Sequence, residues 1–388
     1  MNVALIGVNE LTRLVVEEIQ KSKVSINSTK IIGIYDFNKS NEIHYKNIKI
    51  YNNLNEIYSD NGIDTIIVLT TTLEAKDIIE KALTNKKHVI SVNKDVLAIY
   101  HNKLFDIALK NNVGLYFDAA IGGGIPITDF LSNMSKSDEI YDIKAILNGT
   151  SNFILTAMNQ SELDLNVGLM QAVANGYAEE DPIQDISGFD AARSLSMIAT
   201  LAYNKNITVD DIFIKGIEKV NIDSLQIAKG LGYTIKQIAS ASMFEGSLSL
   251  YVLPCFVKDN ILLSRVDGNM GALYLTSKNL GYSMIYGPAT GNKEILNAII
   301  QDINKVENLI NNNGVFNAFN YLDESKNIVT NSVQSEFIFI GEKESIVNLN
   351  DQIGNIMIDE NTLVVSVTIE KAYEYANSYN LHAFPLVY

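Results

Sequence analysis

Apolar runs alternate with helix-like segments over the first 125 or so residues. Residues 3–6, 31–35, 65–69, 88–92 and 114–117 read as strands, and 11–20, 73–83 and 103–109 as helices. These strands are near-continuous apolar runs, the pattern of a parallel sheet covered by helices on both faces. The pattern changes at 141–147, where Ile143, Ala145 and Leu147 alternate on one face of a strand. A helix at 153–158 follows, then strands at 233–238, 248–253, 261–266, 272–275 and 283–285, and a helix at 294–309. The tail reads strand 336–340, helix 346–353, strands 355–358 and 363–369, helix 371–379 and strand 384–387. That βαββαβ order fits a ferredoxin-like module. The expected fold class is therefore α/β: a Rossmann-type parallel-sheet domain over 1–125, an α+β domain over 126–315 and a small module over 330–388. The last helix of the middle domain is expected to pack back on the first.

The densest chemistry lies at residues 176–195, which hold Glu179, Glu180, Asp181, Asp185 and Asp190. Upstream, Leu165, Leu169, Ala172 and Val173 form one helical stripe. Gly176 follows as a C′ residue. Pro182 blocks a helix in the loop, and Ser187 with Asp190 has capping-box spacing ahead of Leu195, Ile198 and Leu201. An acidic loop fixed between two buried helices is suited to hold a small cation; the plainer reading is a solvated loop with Asp190 as a cap.

Other candidates lie at the ends of strands. Gly7 joins the first strand to a helix, where a Rossmann fold seats a pyrophosphate. Of the G-x-G-x-x-G pattern only this first glycine is present; Asn9 and Thr12 occupy the others, and Asn9 can adopt the left-handed conformation. Asp36 ends the second strand, where an acid meets an adenosine ribose, though an aspartate there also starts turns. Lys94 falls at the carboxyl end of a parallel strand, where ligands bind; the alternative is a solvated lysine. Gly122-Gly123-Gly124 before Pro126 gives a tight turn. Asn148-Gly149-Thr150-Ser151-Asn152 presents amides and hydroxyls at a helix N-terminus, with Ser151 or Asn152 the expected cap.

The chain of 388 residues carries a net charge of −15, which argues against nucleic-acid and anionic-membrane partners. The single cysteine, Cys255, excludes an internal disulfide, and the four histidines show no ligand spacing. The N-terminal residues lack a secretory pattern, and there is no long apolar stretch, so a cytoplasmic location is expected.

The stretch 176–195 together with Asn148-Gly149-Thr150-Ser151-Asn152-Phe153-Ile154-Leu155 resembles the homoserine dehydrogenases, and the resemblance runs along most of the chain. It implies NAD(P)-dependent interconversion of L-aspartate 4-semialdehyde and L-homoserine, in the biosynthesis of threonine and methionine. It implies catalytic roles for Lys94 and Asp190, with Glu179, Asp185, Asp190, Gly149 and Thr150 at the substrate. Asn148 and Thr150 would lie by the nicotinamide end. Gly7, Asn9, Leu11, Asp36, Thr70, Asn93, Lys94 and Gly291 would line the cofactor, with NAD favoured because no arginine adjoins Asp36. Backbone carbonyls of Asp118, Ile121 and Gly123 would hold a monovalent cation. The sheet of the middle domain would form a dimer contact, giving a homodimer or homotetramer, and 330–388 would be a shortened ACT-like regulatory module. The chain departs from the family at Asn9, Thr12, Ala289 and Ser194; at Ser194 the family carries a lysine, four residues beyond the aspartate matching Asp190. These departures leave an alternative, a paralogue with weakened redox activity that acts as a binding or regulatory protein.

Overall fold

The computed structural model describes residues 1–21, 28–37, 45, 47–178, 181–312, 323, 325, 327–353 and 356–388. By their contacts they form two units, one of 1–136, 196–208 and 290–325, the other of 137–195, 209–289 and 326–388.

The first unit is built on six strands, β1 (Asn2–Ile6), β2 (Lys30–Tyr35), β3 (Lys49–Tyr51), β4 (Thr65–Val68), β5 (His88–Ser91) and β6 (Leu115–Tyr116). They lie in the order β3-β2-β1-β4-β5-β6, and every pair is parallel. This is the doubly wound order whose switch point falls between β1 and β4. Val3, Leu5, Ile34, Ile67 and Ile90 bury one layer of the sheet. Helix Glu10–Lys21 covers them with Val15 and Val16, and helix Asn292–Asn311 with Ile299, Ile303 and Val306. β3 escaped the sequence pattern because it has only three residues and one buried side chain. The helix expected from 103 begins earlier, as Lys94–Asn111, because Asn93 caps it: its side chain accepts from the Val96 N–H at 2.9 Å.

The second unit carries β7 (Ile140–Ile146), β8 (Phe213–Ile214), β9 (Tyr233–Phe244), β10 (Ser247–Lys258), β11 (Met270–Ser277), β12 (Gly281–Pro288), β13 (Gln334–Ile340), β14 (Ile356–Asp359), β15 (Thr362–Thr368) and β16 (His382–Val387). They form one sheet in the order β12-β11-β7-β9-β10-β16-β13-β15-β14, with β8 beside β10. β9 and β10 are a long hairpin, closed by Glu245 and Gly246 at φ 47° and 79°. Two positive φ values match the twist of the flanking strands. The expected strand at 261–266 is instead a 3₁₀ turn, Leu262–Arg265. Its run is too short to pair, and Ser264 Oγ donates to Ile261 O at 2.8 Å, which closes the turn.

Residues 334–387 show the expected βαββαβ order, with helices Lys343–Ile353 and Ile369–Ser378. Their four strands run β16-β13-β15-β14, each pair antiparallel, as in a split βαβ arrangement. The segment does not form a third unit. β16 pairs in parallel with β10, setting Phe256 opposite Leu386, and Phe256, Ile338 and Phe384 share one core. Among the described residues no helix is long and apolar enough to cross a membrane.

Candidate active site

In the first unit the candidates lie in the segments that follow β1, β2, β4, β5 and β6, with Gly291 ahead of the last helix. Gly7 has φ 99°, and a Cβ on it would lie 3.1 Å from the Thr70 backbone nitrogen. Only glycine combines that conformation with that approach. Asn9 has no positive φ, so the expected left-handed asparagine is not what shapes this turn. Its side chain works instead. Asn9 Oδ1 accepts from the Thr12 N–H at 3.0 Å, and Thr12 Oγ1 accepts from the Asn9 N–H at 3.2 Å. The two residues that replace glycines are thus a reciprocal cap for helix Glu10–Lys21. Thr12 Oγ1 also donates to Gly7 O at 2.9 Å, and Asn9 Nδ2 to Leu69 O at 3.0 Å. The Leu11 side chain is buried in the core, so its contribution to a ligand would come from the backbone.

Asp36 is buried at the end of β2. Asn93 is buried as well, and its Nδ2 donates to Thr70 O at 3.1 Å and to Thr72 O at 2.8 Å. The amide ties the loop after β4 to the helix it caps, and so fixes Lys94 as that helix's first residue, half-buried. Gly291, with φ 126°, precedes helix Asn292–Asn311.

Asp118 is fully buried, and its partners lie too far along the chain to be read from any local pattern. Its carboxylate meets Lys305 Nζ at 2.6 Å, and Lys305 also reaches Asp302 at 2.8 Å and Asp129 at 3.1 Å. Burial pushes Asp302 up to about 7 against the pull of Lys305. The Asp118 carbonyl accepts from the Gly122 N–H at 3.1 Å, while Ile121 closes the short helix Asp118–Ile121 and Gly123 has φ 59°.

In the second unit the acidic stretch is held at both ends. Helix Leu165–Ala174 finishes with Tyr177 N–H to Ala172 O at 2.9 Å and Gly176 N–H to Val173 O at 3.0 Å, and Gly176 has φ 73°. That is a Schellman end, with the glycine at C′. The Thr150 hydroxyl donates to Tyr177 O and holds this turn. A short helix, Ile183–Ile186, then leads to helix Phe189–Tyr203. The helix begins at Phe189, so Gly188 rather than the expected Ser187 stands directly before it. The Ser187 hydroxyl turns back to Gln184 O at 3.5 Å, because Ser187 ends the short helix and Gly188, at φ 87°, redirects the chain.

Asp190 is engaged elsewhere. Asn148, rather than Ser151 or Asn152, caps helix Gly149–Ser161: its Oδ1 accepts from the Ser151 N–H at 2.7 Å. Its Nδ2 donates to Asp185 Oδ1 at 2.7 Å and to Asp190 Oδ2 at 2.8 Å. One amide therefore joins a helix N-terminus to two half-buried carboxylates. The donor set offers negative charge to a compact cation such as an ammonium group. Glu179 lies outside the described residues. Gly149 and Thr150 are buried beside Asn148. Ser194, where a lysine was expected, is fully buried and its hydroxyl has no hydrogen-bond partner among the described residues.

Gln237 was missed, and with it the bond that Ser151 makes: Ser151 Oγ donates to Gln237 Oε1 at 2.9 Å. The signal available was the adjacent pair Lys236 and Gln237 between Ile235 and Ile238, two long polar side chains that are both buried in β9.

Two family models match the chain: homoserine dehydrogenase over 126–304, and the NAD binding domain of homoserine dehydrogenase over 7–118. Homoserine dehydrogenase of Lactococcus lactis is 33% identical over 76% of this chain and 68% of its own length. That of Helicobacter pylori is 33% identical over 78% of this chain and 73% of its own. The Bacillus subtilis enzyme is 32% identical, and the aligned part spans 71% of this chain and 64% of that protein. A crystal structure of homoserine dehydrogenase from S. aureus superposes with TM-score 0.78 at 26% identity, covering 100% of this chain and 98% of that one. One from Thiobacillus denitrificans has the same fold, with TM-score 0.89 at 24% identity over 100% of this chain and 98% of that one.

Proposed function

The chain belongs to the homoserine dehydrogenase family, and from that membership we propose that it interconverts L-aspartate 4-semialdehyde and L-homoserine with a nicotinamide dinucleotide. The observation that carries the substrate assignment is the pair Asp185 and Asp190 on one Asn148 amide. Two carboxylates on one amide suit the substrate's α-ammonium by hydrogen bonding and opposite charge, with Glu179 as the third acid that family membership implies.

The residues of the first unit fit a dinucleotide. The strand order, the switch point after β1 and β4, and the Gly7 turn that a Cβ would fill support a pyrophosphate at the start of helix Glu10–Lys21. The nicotinamide, when bound, takes or gives the hydride. Asp36 supports a hydrogen bond to an unmodified ribose, hence NAD over NADP. Lys94 holds the proton that the developing alkoxide takes, and releases its own charge as it does so. The carbonyls of Asp118, Ile121 and Gly123 are the place for a monovalent cation. A binding protein without redox activity is the weaker reading, since Asn9 and Thr12 have hydrogen-bonded work in the turn.

The reading is tested by a pair of aldehydes. Succinic semialdehyde lacks only the α-ammonium. Its kcat/KM is expected to lie at least ~10²-fold below that of L-aspartate 4-semialdehyde, because the half-buried carboxylates lose their partner. Equal efficiency would remove the role given to Asp185 and Asp190.

A further inference from the structure

We propose that Gln237 is a positioning residue for the acidic half, acting through Ser151 on the Asn148 amide that Asp185 and Asp190 share. Its kinetic reading rests on the function proposed above; its geometry does not.

Gln237 lies in β9 and is 4% exposed. A buried amide costs stability unless both ends are bonded. Here only the oxygen is: Oε1 accepts from Ser151 Oγ at 2.9 Å, while Nε2 is buried with no partner among the described residues. A methionine of similar length would fill the space without an orphan donor. Packing therefore does not account for the amide. What it supplies is one acceptor aimed at Ser151.

Ser151 has one hydroxyl proton and two acceptors in reach, Gln237 Oε1 at 2.9 Å and Asn148 O at 3.2 Å. The glutamine draws the proton outward from the helix. The Ser151 N–H then holds Asn148 Oδ1 at 2.7 Å. With Oδ1 committed to the helix, Nδ2 must face the acids, which it meets at 2.7 and 2.8 Å. Removing Gln237 returns the Ser151 hydroxyl to its own helix, where it competes at Asn148 and loosens the first turn. On the function proposed above, the group affected recognises substrate, while the proton step belongs to Lys94. The change should therefore appear in substrate binding.

The test uses Gln237→Met, Gln237→Glu, Ser151→Ala and the double variant Gln237→Met/Ser151→Ala. Gln237→Met is expected to raise KM for L-aspartate 4-semialdehyde about tenfold, with kcat and the cofactor KM within about twofold. Its melting temperature should be equal to or above that of the unchanged protein, because the orphan donor is gone. Gln237→Glu keeps the acceptor and should restore KM. In the Ser151→Ala background Gln237→Met should have no further effect. Additive effects, or a fall in kcat with KM unmoved, would overturn the proposal. If the unchanged protein does not turn the semialdehyde over, the proposed function fails, and the positioning claim is read by NMR. Gln237→Met must then shift the Asn148 side-chain amide resonances, and unmoved resonances refute it.

Discussion

Lys94→Met is expected to lower turnover by about 10²–10⁴-fold, the usual contribution of a positioned general acid. The cofactor dissociation constant should move by no more than about twofold, since methionine keeps the length of the chain. Stability should change little. Asn93 still caps the helix, its amide still holds Thr70 O and Thr72 O, and Lys94 is only half-buried. Lys94→Arg should not restore the rate, because a guanidinium stays protonated across the working range. Steady-state kinetics and a melting curve for both variants decide the matter. A folded Lys94→Met protein with turnover within tenfold of normal would remove Lys94 from the proton step.

Asn148→Asp is expected to inactivate the protein in a way that lower pH partly reverses. Aspartate caps a helix as well as asparagine does, so helix Gly149–Ser161 should survive. The new oxygen, however, would replace Nδ2, which lies 2.7 Å from Asp185 and 2.8 Å from Asp190. Three carboxylates at such separations must share protons, so the folded-state pKa of the group rises above the unfolded value. The folded chain then binds more protons than the unfolded one, and stability falls as pH rises. The melting temperature of Asn148→Asp should match that of Asn148→Ser near pH ~3, below the value of about 4 at which ordinary carboxylates titrate, and drop below it as pH rises towards ~8, by the equivalent of about 2 kcal/mol. kcat/KM should be reduced about a hundredfold at pH ~8 and recover as pH falls. A pH-independent difference between the two variants would mean that the carboxylates do not meet at this amide.

The parts of the fold with long, uniform apolar runs were legible in the sequence. β1, β2, β4 and β5 announce a parallel sheet, and Gly176 announces a helix end. β3 was not legible, because three residues at an edge leave no pattern. The strand read at 261–266 was an apolar run whose Ser264 closes a local turn instead. The acidic stretch was visible as composition, but its organiser was not. Asn148 precedes an apolar helix like many capping asparagines, and nothing local shows that its other amide group reaches Asp185 and Asp190, 37 and 42 residues on. Asn9 and Thr12 were read as damage to a glycine pattern. They form a cap, which explains how the turn closes without the second and third glycines. Ser194 is the departure left without an account: it is buried, its hydroxyl has no hydrogen-bond partner among the described residues, and it stands one turn from Asp190.

This chain, with its altered turn and its serine at 194, is expected to carry out the family's reaction. The direct measurement is product analysis after mixing the protein with NADH and L-aspartate 4-semialdehyde. L-Homoserine should form in a one-to-one ratio with NADH consumed, and the reaction should not occur when the aldehyde is omitted. Folded protein that binds NADH yet forms no L-homoserine from either NADH or NADPH would contradict the account.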